Sequence, residues 1–327
     1  MSAVVGGLRL ILLLLHLLHG MAVMALRFPS LDAVGRQRRI QRWSATLLRR
    51  LGIGLAVHGT PHEGATLLAA NHVSWIDIAA IHAAAPRARF VSKADVRHWP
   101  LVGWLVAGAG TLFIERESKR DALRVVHQMA EALRAGDMVA VFPEGTTGPG
   151  RELLPFHANL LQAAVATATP VQPVVLRFHQ PGQPFSAAAE FVGDTTLLQS
   201  VWRMARAQGL QIEVQLLDAE GTAHADRRAL AAHLRERIDA VLARAARNEV
   251  AGGDRASPAN FKRRLELGSR AALSAIGGVM QLMVLVPLLL CGMHVSAALG
   301  SRPTPTSSKE SGTSVFNLPP AGPMRRS

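Results

Sequence analysis

A chain of 327 residues can bury a full hydrophobic core and has room for one large domain or two ordinary ones. Its formal net charge of +13 and pI near 11.5 call for an anionic partner or surface, while 49% hydrophobic residues, only 18% charged residues and a mean hydropathy of +0.19 argue against a nucleic-acid binder and for a membrane. The single cysteine, Cys291, lies inside an apolar run and excludes a disulfide framework or a Cys-rich metal centre.

From Val4 to Leu26 the residues are almost all apolar, with Arg9 near the start and His16 and His19 within the run. That is long enough for a bilayer core of about 30 Å at roughly 20 residues per span. A signal peptide is the competing reading, but no convincing small-x-small cleavage site precedes Arg27-Phe28-Pro29. Residues 1–26 are therefore expected to be a retained anchor, spanning or deeply interfacial. Arg27, Arg36, Arg38, Arg39, Arg42, Arg49 and Arg50 follow the run, against Arg9 alone before it, which by the positive-inside rule places the downstream chain in the cytoplasm. Within this basic connector, residues 27–54, Ile40, Trp43, Leu47 and Leu51 fall at helical spacing. Such a helix suits the headgroup layer, and it equally suits packing its apolar stripe on the domain that follows.

Between residues 55 and 249 short β-like runs alternate with helical segments. The strands are expected at Thr66–Ala70, Arg89–Ser92, Thr111–Ile114, Met138–Phe142, Val171–Phe178, Ala188–Val192 and Gln211–Leu216, with helices at Ile76–Ala84, Asp121–Arg134, Leu160–Ala168 and Asp226–Arg247. Alternation of this kind predicts an α/β layered domain with a mostly parallel central sheet. After Glu249 the composition shifts to Ala-Gly-Gly-Asp-Arg-Ala-Ser-Pro, so residues 250–270 read as a linker. Residues 271–299 form a second uncharged apolar run, interrupted by Gly277-Gly278 and Pro287, that can span a bilayer with a kink. The Ser-, Thr-, Pro- and Gly-rich end, residues 300–327, is expected to be disordered.

Asn71-His72-Val73-Ser74-Trp75-Ile76-Asp77 puts a His and an Asp five positions apart. On a straight helix they would point about 140° apart, so they can meet only if the chain bends. The flanks supply the bend, because an apolar strand precedes His72 and a helix begins near Ile76. A carboxylate on one imidazole nitrogen fixes the tautomer and frees the other nitrogen to take a proton from a hydroxyl. Asn71, Ser74 and Asp77 also suit plain caps and turns, so the spacing alone leaves both readings open.

Three further blocks follow in order: Gly110-Thr-Leu-Phe-Ile-Glu-Arg116, Phe142-Pro-Glu-Gly-Thr-Thr147 and Thr169-Pro-Val-Gln-Pro-Val174. Together with the first, over about Leu67 to Arg177, the set resembles the four blocks of the glycerolipid acyltransferases, the 1-acyl-sn-glycerol-3-phosphate acyltransferase family. The resemblance implies acyl transfer to a lyso-lipid, with His72 as general base and Asp77 orienting it. It implies that Arg116 grips a phosphate, a task for which a guanidinium is suited by its two parallel donors. It also implies that Glu144, Gly145 and Thr146 line the acceptor pocket. Lys93, in Val91-Ser92-Lys93, is a further cation that can face acceptor or donor, or simply be solvated. No Gly-x-Ser-x-Gly elbow, His-Glu-x-x-His, paired-Cys or Walker-type motif occurs, so neither a serine hydrolase, a metal nor a cofactor is expected.

The implied partners are a lyso-lipid acceptor, acyl-CoA or acyl-carrier protein as donor, and the membrane, with no nucleic acid. The implied location is the inner (cytoplasmic) membrane with the catalytic domain facing the cytoplasm. Two positions depart from the family pattern. Thr147 stands where an Arg commonly follows Glu-Gly-Thr, and Phe156-His157-Ala158-Asn159 stands where Phe-Lys-x-Gly is frequent. Both remove charge or flexibility from the acceptor region, although Arg151 lies close enough in sequence to compensate. The first expectation for the acceptor is the 2-hydroxyl of lysophosphatidic acid, giving phosphatidic acid; the alternative is another lyso-lipid such as lyso-ornithine lipid. A basic membrane-surface or nucleic-acid-binding protein without catalysis is the reading from a different class.

Overall fold

A computed structural model of the chain describes residues 2–93, 102–108, 110–114 and 119–253. Arg116, the expected linker beyond Gly253, the apolar run 271–299 and the tail 300–327 lie outside the described residues.

The N-terminal run is one helix, α1 (Ser2–Leu26), about 37 Å long at 1.5 Å per residue. A second helix, α2 (Ala33–Arg50), begins where the Asp32 carboxylate accepts the Gly35 N–H. A seven-stranded sheet follows, made of β1 (Gly54–His58), β2 (Thr66–Ala70), β3 (Ala88–Lys93), β4 (Leu112–Ile114), β5 (Met138–Val141), β6 (Val171–His179) and β7 (Gln211–Leu216). Between and after the strands lie α3 (Asp77–Ala84), α4 (Val102–Gly108), α5 (Lys119–Arg134), α6 (Gln162–Thr167), α7 (Leu197–Arg206) and α8 (Arg227–Gly253).

The strand order is β1-β7-β6-β2-β5-β3-β4. Neighbours from β6 through β4 are all parallel; only β7 runs antiparallel to β6, and β1 follows β7. The fold is thus mixed α/β with a mostly parallel sheet.

Period-two side-chain alternation sends successive residues of β2 into two different cores. Leu68 and Ala70 join Leu48, Ile76, Ile81 and Leu176 under α2 and α3, while Leu67 and Ala69 join Met129, Leu133, Leu161 and Leu234 under α5, α6 and α8. A strand covered on both faces has to be apolar throughout, and all five residues of β2 are buried.

Several expectations shift. Strand β1 and helix α7 were not anticipated, although Thr196 and Gln199 form a full capping box at the start of α7. Helix α8 runs past Arg247 to Gly253, into the stretch read as linker, because the first proline comes only at Pro258. No strand forms at Ala188–Val192. That segment spends its backbone on other partners: the Phe191 N–H donates to the Val73 carbonyl at 3.1 Å, and the Phe191 carbonyl accepts from the Thr147 hydroxyl.

The apolar stripe of α2 packs inward, with Leu47, Leu48 and Leu51 in the core, while Arg36, Arg38, Arg39, Arg42, Arg49 and Arg50 are exposed. Helix α1 buries Gly6, Leu13, His16 and Gly20 on one side. Gly6 faces Trp202 and Arg206 of α7, Gly20 faces Trp43 of α2, and Met24 lies against Gly108 of α4. Arg9 donates to the carbonyls of Ala205 and Ala207 at 2.9 and 2.7 Å, which satisfies the open C-terminal end of α7. The other side of α1 leaves Val4, Val5, Leu8, Leu14, Leu15 and Leu18 exposed.

Candidate active site

Because β2, β5, β3, β4 and β6 point the same way, the loops that leave their C-terminal ends collect along one edge of the sheet. Such an edge is where open α/β sheets bind ligands. The His72 loop leaves β2, and Phe142–Thr147 leaves β5. Lys93 is the last residue of β3, in register with Ile114 at the end of β4. The backbone therefore puts Lys93 on this edge, and Arg116 follows Ile114 by two positions in the sequence.

The bend brings His72 and Asp77 together. Asp77 is the first residue of α3, but its carboxylate turns back over the loop, and Oδ2 accepts from His72 Nδ1 at 2.9 Å, Val73 N–H at 2.7 Å and Ser74 N–H at 2.9 Å. Three donors on Oδ2 and a helix N-terminus offset the burial of this carboxylate, while Oδ1, also buried, has no hydrogen-bond partner among the described residues. With Asp77 accepting, Nδ1 holds the imidazole proton and Nε2 presents a lone pair. The ring lies flat on Phe142, centroids 3.9 Å apart and planes within 11°. The loop is closed by the Asp77 side chain and not by Ser74, whose buried hydroxyl has no hydrogen-bond partner among the described residues.

The backbone of His72 is pinned on both sides. Its N–H donates to Glu144 Oε1 at 2.8 Å, and its carbonyl accepts the Gly148 N–H at 2.8 Å. Glu144 Oε2 accepts the Leu154 N–H at 2.9 Å. Both oxygens of Glu144 are thus engaged with amides, and the residue is only 4% exposed. Glu144, which the resemblance assigns to the lining of the acceptor pocket, is in the structure a brace that fixes the dyad loop. Burial holds its carboxyl above the usual range, and the two amide donors work against that rise. On the other side, Asn71 pairs both side-chain ends with the backbone of Leu176, at 2.9 and 2.8 Å, and extends the β2–β6 pairing by one residue.

Gly145 and Thr146 are exposed at the turn. Gly145 has φ +72°, which favours glycine, and the exposed His157 ring lies where a Cβ would stand, 2.9 Å away. His157 therefore sits over the Gly145 turn. Thr147 is directed elsewhere: its hydroxyl is bonded to Phe191. The sequence reading gave no role to Phe142, Gly148 or Phe191, nor to the Trp75 indole, which donates to Ser200 of α7 at 3.2 Å. For Phe142 the signal was present in its place before Pro-Glu-Gly; for Phe191 there was none, since its contacts are backbone.

A ring-to-ring path leads inward from His72 through Phe142 and Phe90 to His82. His82 is 5% exposed and its Nδ1 has no hydrogen-bond partner among the described residues; burial lowers its pKa to about 4. It lines an apolar cleft together with Val23, Met24, Ile40 and Trp43, with Arg39 also at its wall. Among the described residues no group of three or more His, Cys, Asp or Glu is placed to hold a metal ion.

Comparison with known proteins gives the family and the fold. A family profile described as Acyltransferase matches residues 54–177. The chain is 38% identical over 217 residues to the lyso-ornithine lipid O-acyltransferase of Pseudomonas aeruginosa, covering 66% of this chain and 83% of that one. It is 36% identical over 212 residues to the 1-acyl-sn-glycerol-3-phosphate acyltransferase of Neisseria meningitidis, covering 64% and 82%. In fold it is similar to the crystal structure of the 1-acyl-sn-glycerophosphate acyltransferase PlsC from Thermotoga maritima, with a TM-score of 0.53 at 18% identity, over 72% of this chain and 97% of that one.

Proposed function

Because this chain belongs to the 1-acyl-sn-glycerol-3-phosphate acyltransferase family, we propose that it moves a fatty acyl group from a thioester, acyl-CoA or acyl-carrier protein, to the free hydroxyl of a membrane lyso-lipid. The observation that carries the reading is the His72–Asp77 pair, held at 2.9 Å on the ligand-binding edge of the sheet. In the proposed reaction His72 Nε2 takes the proton of the acceptor hydroxyl as its oxygen attacks the thioester carbonyl. The tetrahedral intermediate collapses, the C–S bond breaks, and the thiolate leaves with the proton returned by His72. No acyl-enzyme and no cofactor enter.

Lysophosphatidic acid is the first candidate acceptor, with Arg116 and Lys93 as cations for its phosphate and Gly145 and Thr146 at the rim. One observation favours lyso-ornithine lipid as a second reading: Thr147 replaces the cation of the usual block and its hydroxyl is already engaged with Phe191.

The enzyme is proposed to work at the cytoplasmic face of the inner membrane. Ala3–Leu26 is long and apolar enough to cross a bilayer, yet α1 touches α7, α2 and α4 along its length. An upright span would drag those elements into the hydrocarbon. An α1 lying in one leaflet, with its exposed leucines in the lipid and the α2 arginines toward anionic headgroups, satisfies both. Residues 271–299 are kept as a proposed second membrane helix.

The test is thioester-dependent conversion of lyso-lipid by purified protein. His72→Ala is expected to lose nearly all turnover while keeping its fold and membrane association; near-normal turnover would sink the mechanism.

A further inference from the structure

Residue pairs 72–73 and 147–148 are joined twice. The direct link is the Gly148 N–H to the His72 carbonyl at 2.8 Å. The second passes through a third residue: the Thr147 hydroxyl donates to the Phe191 carbonyl, and the Phe191 N–H donates to the Val73 carbonyl at 3.1 Å. Together they close a ring of hydrogen bonds around the backbone of the proposed base. Phe191 is itself held in place, since Arg203 of α7 donates to the neighbouring Glu190 carbonyl and the Ser186 N–H donates to Phe178 of β6 at 2.8 Å. The segment is thus a fixed strap across the two site loops.

Every link in this ring is backbone except one. The Thr147 hydroxyl is the single side-chain member, and so the single link that a substitution can cut while the backbone pattern stays available. Val73 has little slack of its own, because Gly150, at φ +77°, passes so close that a Cβ there would stand 2.9 Å from Val73 Cγ2. A change in the strap is therefore felt at Val73 and at the adjoining His72.

We propose that Thr147 is a positioning residue for catalysis, acting through Phe191 to hold the loop that carries His72, and not a contact for the acceptor. The inference rests on the reading of His72 as the base. It turns the missing cation at this position from a simple loss into a replacement: a side chain directed at the strap cannot at the same time read a headgroup. The role predicts a particular split in the kinetics, because a positioning residue shifts the geometry of the reacting pair and leaves ground-state binding alone.

The experiment compares Thr147→Val, which keeps the β-branched shape and removes the hydroxyl, with Thr147→Ser, which keeps the hydroxyl. Each is assayed with lysophosphatidic acid and with lyso-ornithine lipid against one thioester donor, beside wild type and His72→Ala. Thr147→Val is expected to lower kcat about three- to tenfold with either acceptor, the effect of one lost neutral hydrogen bond. KM for acceptor and donor should stay within about twofold of wild type, and Thr147→Ser should recover most of kcat. An unchanged kcat in Thr147→Val overturns the proposal. So does a rise in acceptor KM at unchanged kcat, which would make Thr147 a binding contact, and so does equal impairment of Val and Ser. Thermal unfolding of each variant is read alongside: a large stability loss shared by Val and Ser assigns the defect to folding and also counts against the hydroxyl. Turnover by His72→Ala would instead remove the base reading, whatever Thr147 does.

Discussion

Asp77 meets His72 across a turn that its own side chain closes: one carboxylate oxygen takes the His72 Nδ1–H and the N–H groups of Val73 and Ser74. Orientation of the imidazole and conformation of the loop therefore depend on the same atom, which separates two substitutions. Asp77→Asn can still offer an amide oxygen to the backbone donors but no longer a charge to the imidazole. It is expected to fold normally and lose on the order of 10²–10⁴ in kcat. Asp77→Ala leaves two buried N–H groups unpaired and should also lose stability, by about 1–3 kcal/mol for each. Thermal unfolding beside kcat for the two variants checks this; equal stability in both would mean that the carboxylate does not hold the loop.

His82 sets an acid limit on the fold. Burial lowers its pKa from 6.5 to about 4, so between those values the unfolded chain binds a proton that the folded protein refuses. The sign follows from linkage: the contribution is fully present above pH 6.5 and is lost as pH falls through about 4, up to on the order of 3 kcal/mol. His82→Phe keeps an aromatic ring against Phe90 and removes the titration. Its unfolding midpoint should fall less steeply than that of wild type between pH 6.5 and 4, and parallel curves would show that His82 does not titrate on unfolding.

The sheet was largely legible because a strand buried on both faces has to read as an unbroken apolar run, as Leu67-Leu68-Ala69-Ala70 does. The dyad was legible for a related reason: a strand end and a helix start bracket His72 and Asp77 and force the bend. Ala188–Val192 misled because a short β-like stretch does not say whether its amides go to a sheet or to loops, and here Phe191 gives its N–H and carbonyl to Val73 and Thr147. For Glu144 the residue type fits both a pocket lining and a brace, and the brace becomes visible only with the positions of the His72 and Leu154 amides.

The two sides of α1 have separate tasks, so they should fail separately. Leu15 and Leu18 are 56% and 47% exposed. Changing both to Gln should weaken binding to vesicles containing anionic lipid by roughly 1 kcal/mol or more per residue, with turnover of detergent-dispersed substrate unchanged. Arg9→Ala removes the donor to Ala205 and Ala207. It should loosen α1 from α7 and speed proteolysis near Arg27, with vesicle binding largely kept. Loss of vesicle binding in Arg9→Ala, or its retention in the Leu15 and Leu18 double variant, would reverse this division.

The acceptor turns on which cation reads the headgroup. With the Thr147 hydroxyl bonded to Phe191, a phosphate monoester would need another cation, and Arg116, two positions past β4 in the sequence, is the proposed one. For lysophosphatidic acid, Arg116→Ala should raise KM by roughly 10- to 150-fold, the equivalent of losing a charge-assisted bidentate contact of about 1.5–3 kcal/mol. Lys at that position should recover only part, since an ammonium is a point charge and cannot reproduce the two parallel donors. Lyso-ornithine lipid offers a carboxylate and an amine in place of the phosphate, so the preference between acceptors has a chemical cause that the same site can report. The measurement is the ratio of kcat/KM for the two lipids with one thioester donor, in wild type and in Arg116→Ala. A wild-type ratio that favours lysophosphatidic acid and collapses in Arg116→Ala carries the first candidate. A wild-type ratio strongly favouring lyso-ornithine lipid replaces it with the second, and in that case His72→Ala should silence both lipids alike, because the proton transfer does not depend on the headgroup.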